Sequence, residues 1–250
     1  PALVASVHAR LCQPLEHDGR VIECQASIGV ARCPEHASSV DGLMKCSDLA
    51  LAQAKLSRDC TVIFKPALAR RFQAQVNVLA KVRAMLRENL IVPHYQPKID
   101  LHTGATIGFE ALLRWQLGAS AVARPELLEA ALNHRELSRE IGAQMFSQVF
   151  ADIARWISNG TAFGRIAINS CAADFAGNDF AERLLASLYS HKVPTAAIEL
   201  EVTEGIFLGR GSHHVGRALA KLADHGVRIA LDDFGTGYAS LSHLKRFPVH

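Results

Sequence analysis

Residues 227–238 read Val-Arg-Ile-Ala-Leu-Asp-Asp-Phe-Gly-Thr-Gly-Tyr. The run 227–231 is of buried-strand type, and where it emerges it delivers two adjacent carboxylates, Asp232 and Asp233. Holding both charges there is costly unless a cation shares them. Gly235 and Gly237 let the following loop turn sharply over such a site. The pair points to a metal site at a strand end, and the fold class follows from what else arrives at the same place.

Upstream, further strands are expected at residues 94–101, 106–114, 165–169 and 197–202, with the last at 227–232. Helical spacing fills the gaps at 135–158, 174–191 and 211–225, and another helix is expected near Ser240. Strands alternating with helices favour a parallel sheet or barrel, so the class is α/β. Each strand after the first carries an oxygen donor near its end: Glu110 in IGFEALLRW, Asn169 in RIAINS, Glu201 in IELEVTE, and Asp232 with Asp233. Asn169, Glu201 and Asp232 fall 32 and 31 residues apart, the length of one strand–helix unit.

In a β/α barrel, such positions converge at the carboxyl-terminal mouth. Carboxylates and an amide, without His or Cys, suit Mg²⁺ or Mn²⁺ better than zinc. Two such ions about 3.5–4 Å apart suit the in-line displacement of phosphodiester hydrolysis.

Residues 1–66 are expected to run helix, strand (20–33), helix (39–56), strand (61–64). One amphipathic helix then follows, with Phe72, Val76, Leu79, Val82 and Leu86 on one stripe, connecting two domains through residues 67–89. The second domain is expected at 90–250.

A chain of 250 residues, 49% hydrophobic, can bury a sizeable core. Its net charge of +3 is mild and its basic residues are dispersed, so no groove for a nucleic-acid polymer is indicated. The six cysteines form no CxxC pair and are expected to be reduced, mostly buried thiols of a cytoplasmic protein. No apolar stretch reaches the roughly 20 residues needed to span a bilayer, although an upstream region of the parent protein could anchor it. His213 and His214 point apart on a helix and are expected to be exposed. Trp115 and Trp156 are expected to pack, Trp115 being the nearer to a bound base.

Tyr95-Gln96-Pro97, the segment Gly108-Phe109-Glu110-Ala111-Leu112-Leu113-Arg114-Trp115, Asn169, Glu199-Leu200-Glu201-Val202-Thr203-Glu204, and Leu231-Asp232-Asp233-Phe234-Gly235-Thr236-Gly237-Tyr238 resemble, in order and spacing, the EAL family of cyclic di-GMP phosphodiesterases. The resemblance implies a TIM-like β/α barrel that opens one phosphodiester of cyclic di-GMP to the linear dinucleotide in bacterial second-messenger signalling. It implies that Glu110, Asn169, Glu201 and Asp232 ligate two Mg²⁺ or Mn²⁺ ions, with Asp233 at the second ion. Glu110, Asp232, Asp233 and Glu204 are thereby the expected catalytic group, Glu204 holding the loop after Asp233, where a homodimer would form. Gln96 and Arg114 would contact the dinucleotide, Arg114 at a phosphate.

Ala26-Ser27-Ile28-Gly29-Val30 and the helix Ser47-Asp48-Leu49-Ala50-Leu51-Ala52-Gln53-Ala54-Lys55, followed by Arg58-Asp59, resemble the second half of a GGDEF domain of diguanylate cyclases. That implies a partial GGDEF-like domain over 1–66, with GTP a ligand of the parent protein near Lys55. Both resemblances imply truncation. The signature loop of the first domain would precede Pro1, and a lysine, a glutamate and a glutamine of later barrel strands would follow His250. The fragment is therefore expected to be inactive alone.

Residues 124–133 and Cys171 depart from the EAL pattern, and neither departure removes an implied metal ligand. Two alternatives stand beside the enzyme: a non-catalytic cyclic di-GMP receptor and a regulatory GGDEF–EAL scaffold. For Arg114 the alternative is an ion pair on the barrel rim.

Overall fold

The computed structural model describes residues 2–57, 60–116, 125–207, 212–232 and 248. It divides into two compact units, Pro1–Val78 and Leu79–His250.

The first unit contains α1 (Ala2–Leu11), β1 (Leu15–His17), β2 (Arg20–Ile22), β3 (Ile28–Val30), α2 (Val40–Ser57), β4 (Thr61–Ile63) and the start of α3 (Pro66–Arg87). β1 and β2 form an antiparallel hairpin around Asp18 and Gly19, whose φ angles of 48° and 69° are those of a type I′ turn. β3 and β4 pair in parallel, with Ile28 opposite Thr61, and α2 is the crossover between them. Residues 20–33 are therefore not one strand. Residues 23–27 separate an exposed hairpin strand from β3, which packs with α2 and β4. The six cysteines are all unpaired, and they are half-buried or exposed rather than mostly buried.

The second unit holds the end of α3, then β5 (Ile91–Ile99), β6 (Thr106–Trp115), α4 (Pro125–Leu132), α5 (Arg135–Ser158), β7 (Arg165–Ser170), α6 (Phe180–Ser190), β8 (Ile198–Thr203), α7 (Ser212–Asp224) and β9 (Arg228–Asp232). These strands form one sheet in the order β5-β6-β7-β8-β9. β6 to β9 are parallel, as their helical crossovers require, whereas β5 and β6 are antiparallel. The connection from Asp100 to Ala105 is too short for a crossover, and Asp100 Oδ1 closes it by accepting the amides of His102 (2.8 Å) and Thr103 (2.9 Å).

The strand register sorts the side chains into two sets. Ala111, Trp115, Ile166, Ile168, Ile198, Leu200, Val202 and Ile229 are buried on the helix-facing side. They form one core with the α5 residues Leu137, Ile141, Met145, Phe146, Val149, Phe150 and Ile153, which recur at helical spacing. The α5 helix is capped by His134, whose Nδ1 accepts the Leu137 amide (3.4 Å), and it stops at Asn159, after which Gly160 takes φ 66°.

Residues 174–191 break into a 3-10 turn, Asp174–Ala176, and α6. Trp115, 2% exposed, is a core group on the face away from the carboxylates and so is not placed to meet a base. His213 and His214 are exposed on α7. No helix among the described residues is long and apolar enough to cross a membrane.

Candidate active site

The other face of the sheet carries the acidic side chains singled out from the sequence. On β6 to β9, Glu110 stands opposite Ala167, Asn169 opposite Glu201, and Glu201 opposite Ala230, two residues from Asp232. Alternation along each strand therefore puts Glu110, Asn169, Glu201 and Asp232 on one side. On β5, Gln96 is paired with Glu110 and Val92 with Arg114, so Gln96 and Arg114 share that side.

The side chains meet in pairs. Asn169 Nδ2 donates to Glu110 Oε1 at 2.8 Å. Glu201, 9% exposed, has its Oε1 held at 3.0 Å by Lys98 Nζ, which also donates to Glu199 Oε1 at 2.7 Å. Arg228 Nε lies 3.3 Å from Glu199 Oε2. Lys98 is on β5 and the two glutamates are on β8, three strand spacings away, which is roughly 14 Å on a flat sheet. A lysine side chain alone does not reach that far, so this contact requires the sheet to curl with the carboxylates on its concave face.

Burial pushes the Glu201 carboxyl above the usual glutamate range. Lys98 opposes that shift, and the charges of Glu110 and Asp232 add to it. Burial pulls the Lys98 ammonium down, but its bonds to Glu199 and Glu201 outweigh this and leave it raised. A concave, partly buried cluster of carboxylates with an amide beside it is the donor chemistry of a hard divalent ion. Among the described residues no three His, Cys, Asp or Glu side chains converge on one point. Instead, Asn169 engages Glu110, and Lys98 engages Glu201.

Asp232 closes the described part of this face, while Asp233 and the loop through Gly237 lie outside the described residues. Glu204 begins a 3-10 turn, Glu204–Phe207, directly after β8, and its side chain lies outside the described set. Arg114 is half-buried, with Nη1 donating to the Leu113 carbonyl at 2.8 Å, and Gln96 is exposed. A cavity of about 310 Å³ adjoins Asn169 and Arg114, with Leu112, Ser138, Met145 and Cys171 among its lining groups.

Two residues that matter here were not singled out from the sequence. Lys98 reads locally as an ordinary strand lysine. Asp174, 4% exposed, pins the turn after Asn169: its Oδ2 accepts the Cys171 amide at 2.8 Å and the Cys171 thiol at 3.3 Å. Cys171 Sγ also lies 3.1 Å from Ser138 Oγ on α5, so the departure at Cys171 is accommodated by a polar cluster of its own.

Burial pushes the Asp174 carboxyl above the usual aspartate range, against the Cys171 hydrogen bonds and the charges of Arg183 and Arg139. The folded chain thus binds this proton more tightly than the unfolded chain. Stability from this group is present at acid pH and falls as pH rises from the ordinary aspartate value through the raised one. Asp174→Asn should flatten that fall in thermal melts taken between about pH 4 and 7. Parallel wild-type and variant curves would remove Asp174 as the cause.

Residues 79–250 match the family model described as EAL domain. The chain is 32% identical over 240 residues to the bifunctional diguanylate cyclase/cyclic di-GMP phosphodiesterase MucR of Pseudomonas aeruginosa, covering 96% of this chain and 35% of that protein. It is 27% identical over 241 residues to the cyclic di-GMP phosphodiesterase NbdA of the same organism, covering 96% and 31%. It therefore spans about a third of the length of these curated relatives. The solved structure described as PaMucR phosphodiesterase, c-di-GMP complex, superimposes with a TM-score of 0.62 at 32% identity, covering 69% of this chain and 70% of that one. The second unit thus has the TIM-like α/β architecture of that family.

Proposed function

Since this chain belongs to the EAL domain family, we propose that its second unit, within the intact parent protein, hydrolyses one phosphodiester of cyclic di-GMP to the linear dinucleotide, using Mg²⁺ or Mn²⁺. The observation that carries this reading is the alignment of Glu110, Asn169, Glu201 and Asp232 on one concave face of four neighbouring strands. The names of MucR and NbdA support the substrate.

In this reading the four residues hold the cations and Asp233 serves a second one. Bound there, divalent ions would activate water and neutralise charge on the scissile phosphate. The chain's own groups set the geometry. The Asn169 amide fixes the rotamer of Glu110, and Asp174 fixes the turn that follows the strand of Asn169. The Arg114 guanidinium takes a non-bridging phosphate oxygen, Gln96 contacts the dinucleotide from across β6, and Glu204 steadies the loop that follows Asp233.

Arg114→Ala should raise KM for cyclic di-GMP about tenfold or more, since a charge-assisted hydrogen bond is worth roughly 1.5–3 kcal/mol. Initial rates across substrate concentration check this, and an unchanged KM would return Arg114 to a rim ion pair.

The finer reading of the first unit belongs here too. Its parallel β3–α2–β4 arrangement, carrying Ala26–Val30 and Ser47–Lys55 with Lys55 exposed, supports the end of a GGDEF-like domain with a GTP site in the parent protein. Dimerisation through the loop after Asp233 is part of the same proposal. One observation favours a receptor instead: Lys98 already neutralises Glu201. Chromatography of cyclic di-GMP incubated with the intact parent protein and Mg²⁺ or Mn²⁺ separates the two. Appearance of the linear dinucleotide supports the enzyme, whereas binding without conversion supports the receptor.

A further inference from the structure

The contact between Lys98 and Glu201 places a cation of the protein on an oxygen that the proposed function gives to a metal. The carboxylates involved are shielded from solvent, with side-chain exposures of 13% for Glu199 and 11% for Glu201, so their charges are weakly screened. Arg228 balances Glu199 through its other oxygen, which leaves Lys98 to serve Glu201. Arg114 and Arg228 also stand on this face, and Lys98 is the cation bonded to Glu201.

We propose that Lys98 is the resident cation of this site: anchored by Glu199, it shares Glu201 Oε1 with an incoming divalent ion and so sets the affinity for that ion while holding the carboxylates together before it binds. The proposal rests on the reading that Glu201 is a metal ligand. Lys98 touches no reacting atom in this role and is a positioning residue. An ammonium beside a doubly charged ion repels it even at high effective dielectric, so removing the ammonium should strengthen metal binding. A purely structural lysine has the opposite signature, since its loss would disorder Glu201 and weaken the metal.

The test is a titration of Mn²⁺ into the full chain, followed by the electron paramagnetic resonance signal of free Mn²⁺ and paired with thermal melts. Lys98→Met should bind Mn²⁺ at least about tenfold more tightly than wild type. Its melting point should fall without metal and recover with Mn²⁺. Lys98→Arg should keep an affinity close to wild type. Glu199→Gln releases Lys98 toward Glu201 and should weaken Mn²⁺ binding about threefold; this variant decides the matter if Lys98→Met does not fold. Unchanged or weaker Mn²⁺ binding by Lys98→Met, with wild type binding normally, overturns the proposal alone. Absence of Mn²⁺ binding by wild type overturns the ligand reading beneath it.

Discussion

Replacing Glu110 or Asp232 by alanine is expected to lower cyclic di-GMP hydrolysis by the intact protein about 10³-fold, with little change in the melting point. The two residues sit on different strands of the concave face, β6 and β9, and each contributes negative charge felt at Glu201. Under the proposed function, loss of either removes a donor from the cation site, and it leaves the helix-facing core untouched. Glu110 is half-buried, and its polar neighbour Asn169 is exposed and can turn to water, so the folding cost is small. Initial rates at saturating Mn²⁺ measure the effect. A variant retaining more than a tenth of the wild-type rate would refute the ligand assignment.

Gly108→Ala is expected to destabilise the second unit by about 3 kcal/mol or more. Gly108 lies two residues before Glu110, at the start of the β6–β7 pairing, opposite Arg165. A Cβ there would stand 2.1 Å from the Arg165 carbonyl oxygen and 3.0 Å from its nitrogen, both backbone atoms of the paired strand. Relief therefore requires the strands to part, and the strand that moves carries Glu110. The glycine preceding Phe109 and Glu110 is thus explained by close backbone approach rather than by chemistry. Denaturant unfolding measures the loss. A midpoint within about 0.5 kcal/mol of wild type would show that the strands separate freely.

Much of this arrangement could be read from residues alone, for physical reasons. Asn169, Glu201 and Asp232 recur at the length of one strand–helix unit, and such spacing survives any detail of packing. The expected span of α5 matches the structure, since its stripe from Leu137 to Ile153 is long and periodic. Strand direction was lost at β5, although the six-residue connection from Asp100 to Ala105 is a local sign of a hairpin. Asp18-Gly19 carried a similar sign for β1 and β2, which the apolar character of residues 20–33 obscured.

Lys98 and its partners are the part that local pattern could not supply. The contact joins residues 101 and 103 positions apart and exists only because the sheet curls. Asp174 was hidden differently. Its acceptor role lies three residues from Cys171, but its importance comes from burial beside Gly142 of α5, where a Cβ would approach Asp174 Oδ1 to 2.6 Å.

The most direct measurement is the anomalous scattering of Mn²⁺ in crystals of this chain grown with Mn²⁺ and cyclic di-GMP. The account predicts manganese peaks on the concave face, coordinated by Glu110, Asn169, Glu201 and Asp232, with a phosphodiester of the nucleotide bound against them. Nucleotide bound on that face with manganese absent, or manganese held by other residues, would contradict it.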